Sequence, residues 1–339
     1  MSPVAPRAGE RCWSLFGLTI ATEHRFANRL RPSNGPADLW LRQVDVSPLG
    51  AAWRSNPPAY RSPLKVDASQ HFLDIVLTPD ATVFSFADVV DFFVFRDGIA
   101  YQPFDPTYRY MIELHLLGYV LSYWLERAGW PALHASAVVI DGEALAFLSS
   151  HGGGKTSLAA SLLREGFALL TDDVLAVSVD ADGVHGLPGY PQMRMWPDQA
   201  SHFVGQDDLE FVHPGLTKRR VPIGEATFGR FEGAIRRVSA LYLPERRDGG
   251  AIEIVDTKAS TALFGLVRHS FLAGIVEALG LGPQRMASLA SVVQKVPVRT
   301  LRYPTGVHLL PEVVRRVRDD VRVLRREQTS VPTSVGRTQ

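Results

Sequence analysis

This chain of 339 residues has almost no cysteine: Cys12 stands alone. No intrachain disulfide framework is available to it, and no cysteine-built zinc site. It also lacks an excess of either charge. Its 36 Lys and Arg against 35 Asp and Glu leave a formal charge of +1, which gives no general pull toward nucleic acid or an anionic membrane. Long apolar runs are missing too, and the existing ones fall far short of the ~18 residues of a membrane span. Arg7, Glu10 and Arg11 scatter charge through the first residues, where a signal peptide would carry an unbroken apolar core. A reducing, cytoplasmic setting is the expectation, with no membrane and no nucleic-acid partner. No internal repeat is visible.

What the chain does have is core-forming material. Hydrophobic residues make up 46% and charged residues 21%, enough for one large domain or two smaller ones. Residues 1–128 read as a separate α/β region. A strand is expected over 13–22, loops over 31–37 and 47–62, and strands over 72–77 and 91–95, the last followed by a turn at Asp97-Gly98. The spacing of Met111, Leu114, Leu117, Tyr119, Leu121 and Trp124 predicts a helix over 108–128, ended by Gly129. This half shows no catalytic cluster, so substrate recognition or scaffolding is its expected role. Residues 129–326 open with a hairpin (strands 135–140 and 144–148), continue through a helix over 156–165 and strands over 167–171 and 174–179, and add a strand over 238–243. Further helices are expected over 260–279 and 311–326. The polar tail, 327–339, reads as disordered.

The stretch Ser149-Ser150-His151-Gly152-Gly153-Gly154-Lys155-Thr156 lies between the apolar run 144–148 and a helix-forming run that starts at Ser157. Strand, glycine-rich loop and helix form the context of a Walker A phosphate loop. Gly152, Gly153, Gly154 and Ser157 let successive backbone N–H groups face a pyrophosphate. Lys155 supplies a charge for the β- and γ-phosphates of ATP, and the Thr156 hydroxyl a ligand for Mg²⁺. The usual pattern has Gly where Ser149 stands.

Three further features follow from position. Asp172 and Asp173 come directly after a short apolar strand, where one carboxylate can hold Mg²⁺ and the other face an acceptor; a turn or helix cap is the plainer reading of such a pair. His134 heads the hairpin that leads into the loop, although a lone histidine there is more often a satisfied core residue. Asp198 follows Pro197 and reads equally as a second Mg²⁺ ligand or a helix cap. Lys218, Arg219 and Arg220 could steady phosphates, with a solvated basic patch favoured.

Together, His134, the loop at 149–156, Gly166 and Leu170-Thr171-Asp172-Asp173 resemble the kinase domain of the HPr kinase/phosphorylase family. The intervals match its pattern: 21 residues from His134 to Lys155 and 18 from Lys155 to Asp173. The resemblance covers about residues 130–315, and extends to relatives in biosynthetic clusters, some of which modify lasso-peptide precursors. It implies a P-loop HPr kinase/PEP carboxykinase-like core with an added N-terminal α/β region. It also implies an ATP- and Mg²⁺-dependent kinase acting on a serine of a protein or peptide. In that reading Lys155 holds the phosphates, Asp173 is the general base and His134 assists it, while Thr156 with Asp172 or Asp198 binds the metal. Members of the family form hexamers, which leaves a homo-oligomer open. Ser149, Gly153 and Ser157 depart from the family's loop, and its second glycine-rich signature has no counterpart, so phosphorylase activity is not implied. A kinase for a sugar or other alcohol, and a nucleotide-binding regulator without transfer activity, remain alternatives.

Overall fold

The computed structural model describes residues 3–206, 208–213 and 216–330. The protein is a mixed α/β structure with a nine-stranded, a ten-stranded and a three-stranded sheet. The nine-stranded sheet is built from residues before 104. Two of its interior strands, Thr82–Phe86 and Val90–Val94, are buried at nearly every position because both faces are covered. Phe84, Phe86 and Phe92 point into the main core, while Val83 and Phe93 pack with Trp53 on the other face. The region expected as one strand over 13–22 is a hairpin of Arg11–Leu15 and Leu18–Thr22. Gly17 (φ 72°) supplies its left-handed turn together with Phe16 (φ 50°), a conformation that an aromatic residue rarely takes and that sequence pattern does not reveal.

The helix expected over 108–128 has three parts: an α segment Arg109–His115, a π turn Leu116–Val120 and an α segment Leu121–Arg127. Its buried face continues the first sheet's core into Leu272, Ile275 and Val276 of the second half. The region 260–279 is two helices, Ala259–Arg268 and Ala273–Ala278, and another follows at Gly282–Lys295. The last helix runs Leu310–Ser330, so 327–330 are helical, and 331–339 lie outside the described residues. Val313, Val314, Val317 and Val321 form its inward stripe. Among the described residues no helix is long and apolar enough to cross a membrane.

The ten-stranded sheet sets the geometry that matters. Strand Ala135–Ile140 lies between Glu143–Leu148 and Ala168–Thr171, antiparallel to both. The two flanking strands are therefore parallel, and their C-terminal ends share an edge with the start of the middle strand. That edge gathers His134, the glycine-rich loop and the Asp172-Asp173 pair. The carboxylate strand is thus one strand removed from the loop strand rather than beside it. Helix Lys155–Arg164 packs on this sheet through Leu158, Leu162 and Leu163, all at most 2% exposed. Each such side chain contributes roughly 1.5–3 kcal/mol of burial.

Candidate active site

The glycine-rich loop owes its shape to two left-handed glycines, Gly152 (φ 77°) and Gly154 (φ 95°). Ser149 is not among the positive-φ residues. A serine is therefore tolerated at a position where the usual pattern has glycine. Ser149 is buried, and its Oγ would lie 2.4 Å from a Cβ placed on Gly153. Gly154 is held open in the same way, since its Cβ would fall 2.4 Å from Tyr303 Oη. Arg246 Nη2 donates to the Gly152 carbonyl at 2.6 Å, which pins the loop's outer turn.

Lys155 begins the helix and is only 5% exposed. Its Nζ lies 2.9 Å from His134 Nε2, and His134 Nδ1 lies 3.0 Å from the Asp173 carbonyl oxygen. The carbonyl can only accept, so Nδ1 carries the proton and Nε2 accepts from the ammonium. Burial, and then Lys155, hold His134 below the usual imidazole range. Burial pushes the Lys155 ammonium down as well, against the pull of Asp173 and Asp172. His134 thus supports Asp173 through its backbone and positions Lys155; its ring makes no hydrogen bond to the Asp173 carboxylate.

A tight turn sends the two carboxylates apart. Asp173 sits at φ 67°, a left-handed conformation that aspartate tolerates better than most residues, and Val174 N closes the turn on the Asp172 carbonyl at 2.9 Å. Asp172 Oδ1 accepts from Ser136 Oγ at 2.5 Å and from Thr156 Oγ1 at 3.3 Å, and its Oδ2 accepts from Arg194 N at 3.0 Å. Asp173 Oδ2 lies 3.4 Å from Arg194 Nη1. Burial and the neighbouring Asp173 raise Asp172, more than Ser136, the Arg194 N–H and Lys155 lower it. For Asp173 burial pulls upward, but Arg194, Lys218, His134 and Lys155 together hold it below the usual carboxylate range. Adjacent carboxylates driven in opposite directions suit different tasks.

A cavity of about 220 Å³ opens over the loop. Gly152, Gly153, Gly154, Lys155, Thr156 and Asp173 border it, as do Arg194, Trp196, Asp198, Lys218 and Arg246. Four cations face three carboxylates counting the adjoining Asp172, an imbalance suited to phosphate. Asp198 is exposed, in the first turn of helix Pro197–Val204. Ser157 is buried, and its hydroxyl accepts from Gln199 Nε2 of that helix at 2.8 Å, so it braces the loop helix rather than opening into the cavity. Thr156 and Asp172 give a hydroxyl and a carboxylate side by side, a donor set that fits Mg²⁺, which keeps several waters and is held by few protein groups plus phosphate. The described residues contain no cluster of three or more acidic, histidine or cysteine groups able to hold a metal by themselves.

Arg194, Trp196, Ser136 and Arg246 were not predicted as site residues, and Lys218 was raised only as part of a basic cluster for which a solvated patch was favoured. Arg194 had a signal, a charge between Met193 and Met195 on a buried strand. The three basic residues at 218–220 diverge. Lys218 borders the cavity above the Trp196 ring (5.3 Å), Arg219 stacks on Phe211 (3.9 Å), and Arg220 is buried and donates to the Ala27 carbonyl at 3.1 Å.

No protein-family model matches this chain, and no curated protein matches it. Among solved structures, the Hpr(Ser) kinase/phosphatase from Coxiella burnetii is similar over 56% of this chain and 98% of its own, at 14% identity and a TM-score of 0.29. That likeness is distant.

Proposed function

We propose that this protein is an ATP-dependent kinase that transfers the γ-phosphoryl group to a serine hydroxyl of a protein or peptide. The observation that carries the reading is the separation of roles at one sheet edge. Thr156 and Asp172 sit together, 3.3 Å apart, beside the phosphate loop, whereas Asp173 borders both the loop cavity and a second, apolar cavity that Thr156 does not reach. The fold that goes with it is a P-loop core of the HPr kinase/PEP carboxykinase kind, carried by residues 129–326, with residues 1–128 contributing to acceptor recognition. A cytoplasmic setting suits an ATP-dependent enzyme.

In this mechanism the backbone N–H groups of 152–156 and the Lys155 ammonium bind the phosphates, with Arg194 and Lys218 balancing charge at the open side. Thr156 and Asp172 would hold Mg²⁺, which would neutralise charge developing on the phosphate oxygens, and Asp198 borders the same cavity as a further carboxylate. Asp173, ionised at neutral pH, takes the proton of the serine hydroxyl. The serine oxygen forms its bond to the γ-phosphorus as the bond from that phosphorus to the bridging β-oxygen breaks, and ADP leaves. Positioning and charge supply nearly all the acceleration such a transfer needs.

The test is incubation with Mg-ATP and serine peptides, with products read by mass spectrometry. A phosphate ester on serine, lost in Lys155→Ala, is the expected result. ATP bound but never consumed would overturn the kinase reading in favour of a nucleotide-binding regulator.

A further inference from the structure

We infer that the acceptor serine is presented beside a bulky apolar residue of a peptide chain, which fills a second cavity next to the phosphate loop; this rests on the kinase reading above. The second cavity has a volume of about 570 Å³, within the range that holds a ligand of a few residues. His151, Asp173, Arg194, Trp196 and Lys218 border both cavities, so the two meet at the carboxylate assigned as base. An acceptor seated in the second cavity therefore reaches Asp173 without entering the loop cavity.

The chemistry of the far wall selects the acceptor. Phe72, Met111, Leu114, Gly118, Tyr119 and Phe271 form most of it, with the buried His115 among them. A polyol needs a hydrogen-bond partner for each hydroxyl it buries, and a hydroxyl buried without one costs about 1–3 kcal/mol. This wall offers carbon almost throughout, so it disfavours sugars and favours a Leu- or Phe-sized side chain. The polar groups cluster instead at the junction, where a single hydroxyl must react.

Two features show a wall built as a recess. Gly118 lies in the π turn Leu116–Val120 and carries no side chain, where a Cβ would only make ordinary contact with the Phe271 ring at 3.4 Å. A π turn shifts the helix face outward by one residue and is frequent at functional sites. At the rim, Leu216 is 43% and Trp196 37% exposed. Large apolar groups left open beside a recess favour a ligand that continues out of it, as a peptide does and a small alcohol does not.

The experiment measures kcat/KM for phosphate transfer from Mg-ATP to short peptides with one serine, flanked by Phe or Leu, by Gly, or by Asp, and to glycerol and inositol. Apolar flanks should exceed Gly flanks by about tenfold or more, and polyols should rank last. In Leu114→Ser the apolar advantage should shrink to a few-fold. A variant that merely folds poorly lowers every rate and keeps the ranking, so an unchanged ranking in Leu114→Ser overturns the assignment. Equal rates for Gly-flanked peptides or polyols overturn it while leaving the kinase reading intact. ATP binding with no transfer to any acceptor overturns both.

Discussion

At the scale of single residues, the site is organised around groups kept from taking up protons. Burial, then Arg268, His134 and Lys155, pull His269 down to about 4. His269 also accepts the His134 N–H through its carbonyl at 2.7 Å. Lys218, burial and Lys155 likewise lower His151. A second positive charge beside Lys155 would repel the ammonium, and neutral rings leave the cavity's cations to phosphate. The consequence for stability has a definite sign. In the unfolded chain a histidine titrates near ~6.5, so the folded state binds fewer protons between that value and about 4. Stability contributed by a neutral His269 is full above the unfolded pKa and is lost as pH falls through this window. Urea unfolding followed between pH 7 and 4 should show the midpoint dropping, with a shallower fall in His269→Asn. An equal slope in the variant would place the acid sensitivity elsewhere.

At the scale of elements, the phosphate loop is a close-packed turn with little slack. Gly153→Ala sets a methyl against Ser149 Oγ (2.4 Å) and Cβ (2.6 Å) and the Ser150 carbonyl (3.0 Å), so the loop must shift and ATP affinity should fall at least about tenfold, as overpacking of this kind costs ~1–3 kcal/mol. Ser149→Gly removes two of those three contacts, and the double variant should recover part of the loss in calorimetric titration. No recovery would mean that the carbonyl contact dominates. Much of this element was legible in advance. The hairpin, the loop, the following helix and the Asp172-Asp173 strand end were all readable because apolar runs alternate with Gly and Asp signals. Less visible was how the strands pair. The insertion of Ala135–Ile140 between loop strand and carboxylate strand is a long-range choice, and it brings Ser136 to Asp172. Arg194 and Lys218 enter from a separate three-stranded sheet, and nothing in the local pattern of its strands says that they meet the loop. The π turn escaped notice because its residues keep a helical pattern of apolar positions.

At the scale of the molecule, the two halves share structure where the acceptor cavity lies between them. The apolar core of the first sheet runs on into Leu272, Ile275 and Val276, and a buried ion pair locks the contact: Arg285 Nη2 lies 3.2 Å from Glu126 Oε1, which also accepts from Ala132 N at 2.9 Å. Removing one partner leaves a buried charge unpaired, so Arg285→Ala should lose about 3–5 kcal/mol of stability, whereas Arg285→Met paired with Glu126→Leu should lose much less. Denaturant unfolding of the three proteins checks this, and equal losses would show that packing around Arg285, not its charge, is what matters. The assignment of residues 1–128 to acceptor recognition rests on the same join, since Met111, Leu114 and Tyr119 come from that half and Asp173 from the other.

The proposed transfer depends on Asp173 as the group that takes the acceptor proton. The most direct test is single-turnover transfer from Mg-ATP to a serine peptide by the native protein and by Asp173→Asn, with Mg-ATP affinity measured for both. The account predicts similar affinity and transfer slowed by about 100-fold or more in the variant. Transfer at an undiminished rate in Asp173→Asn would contradict it.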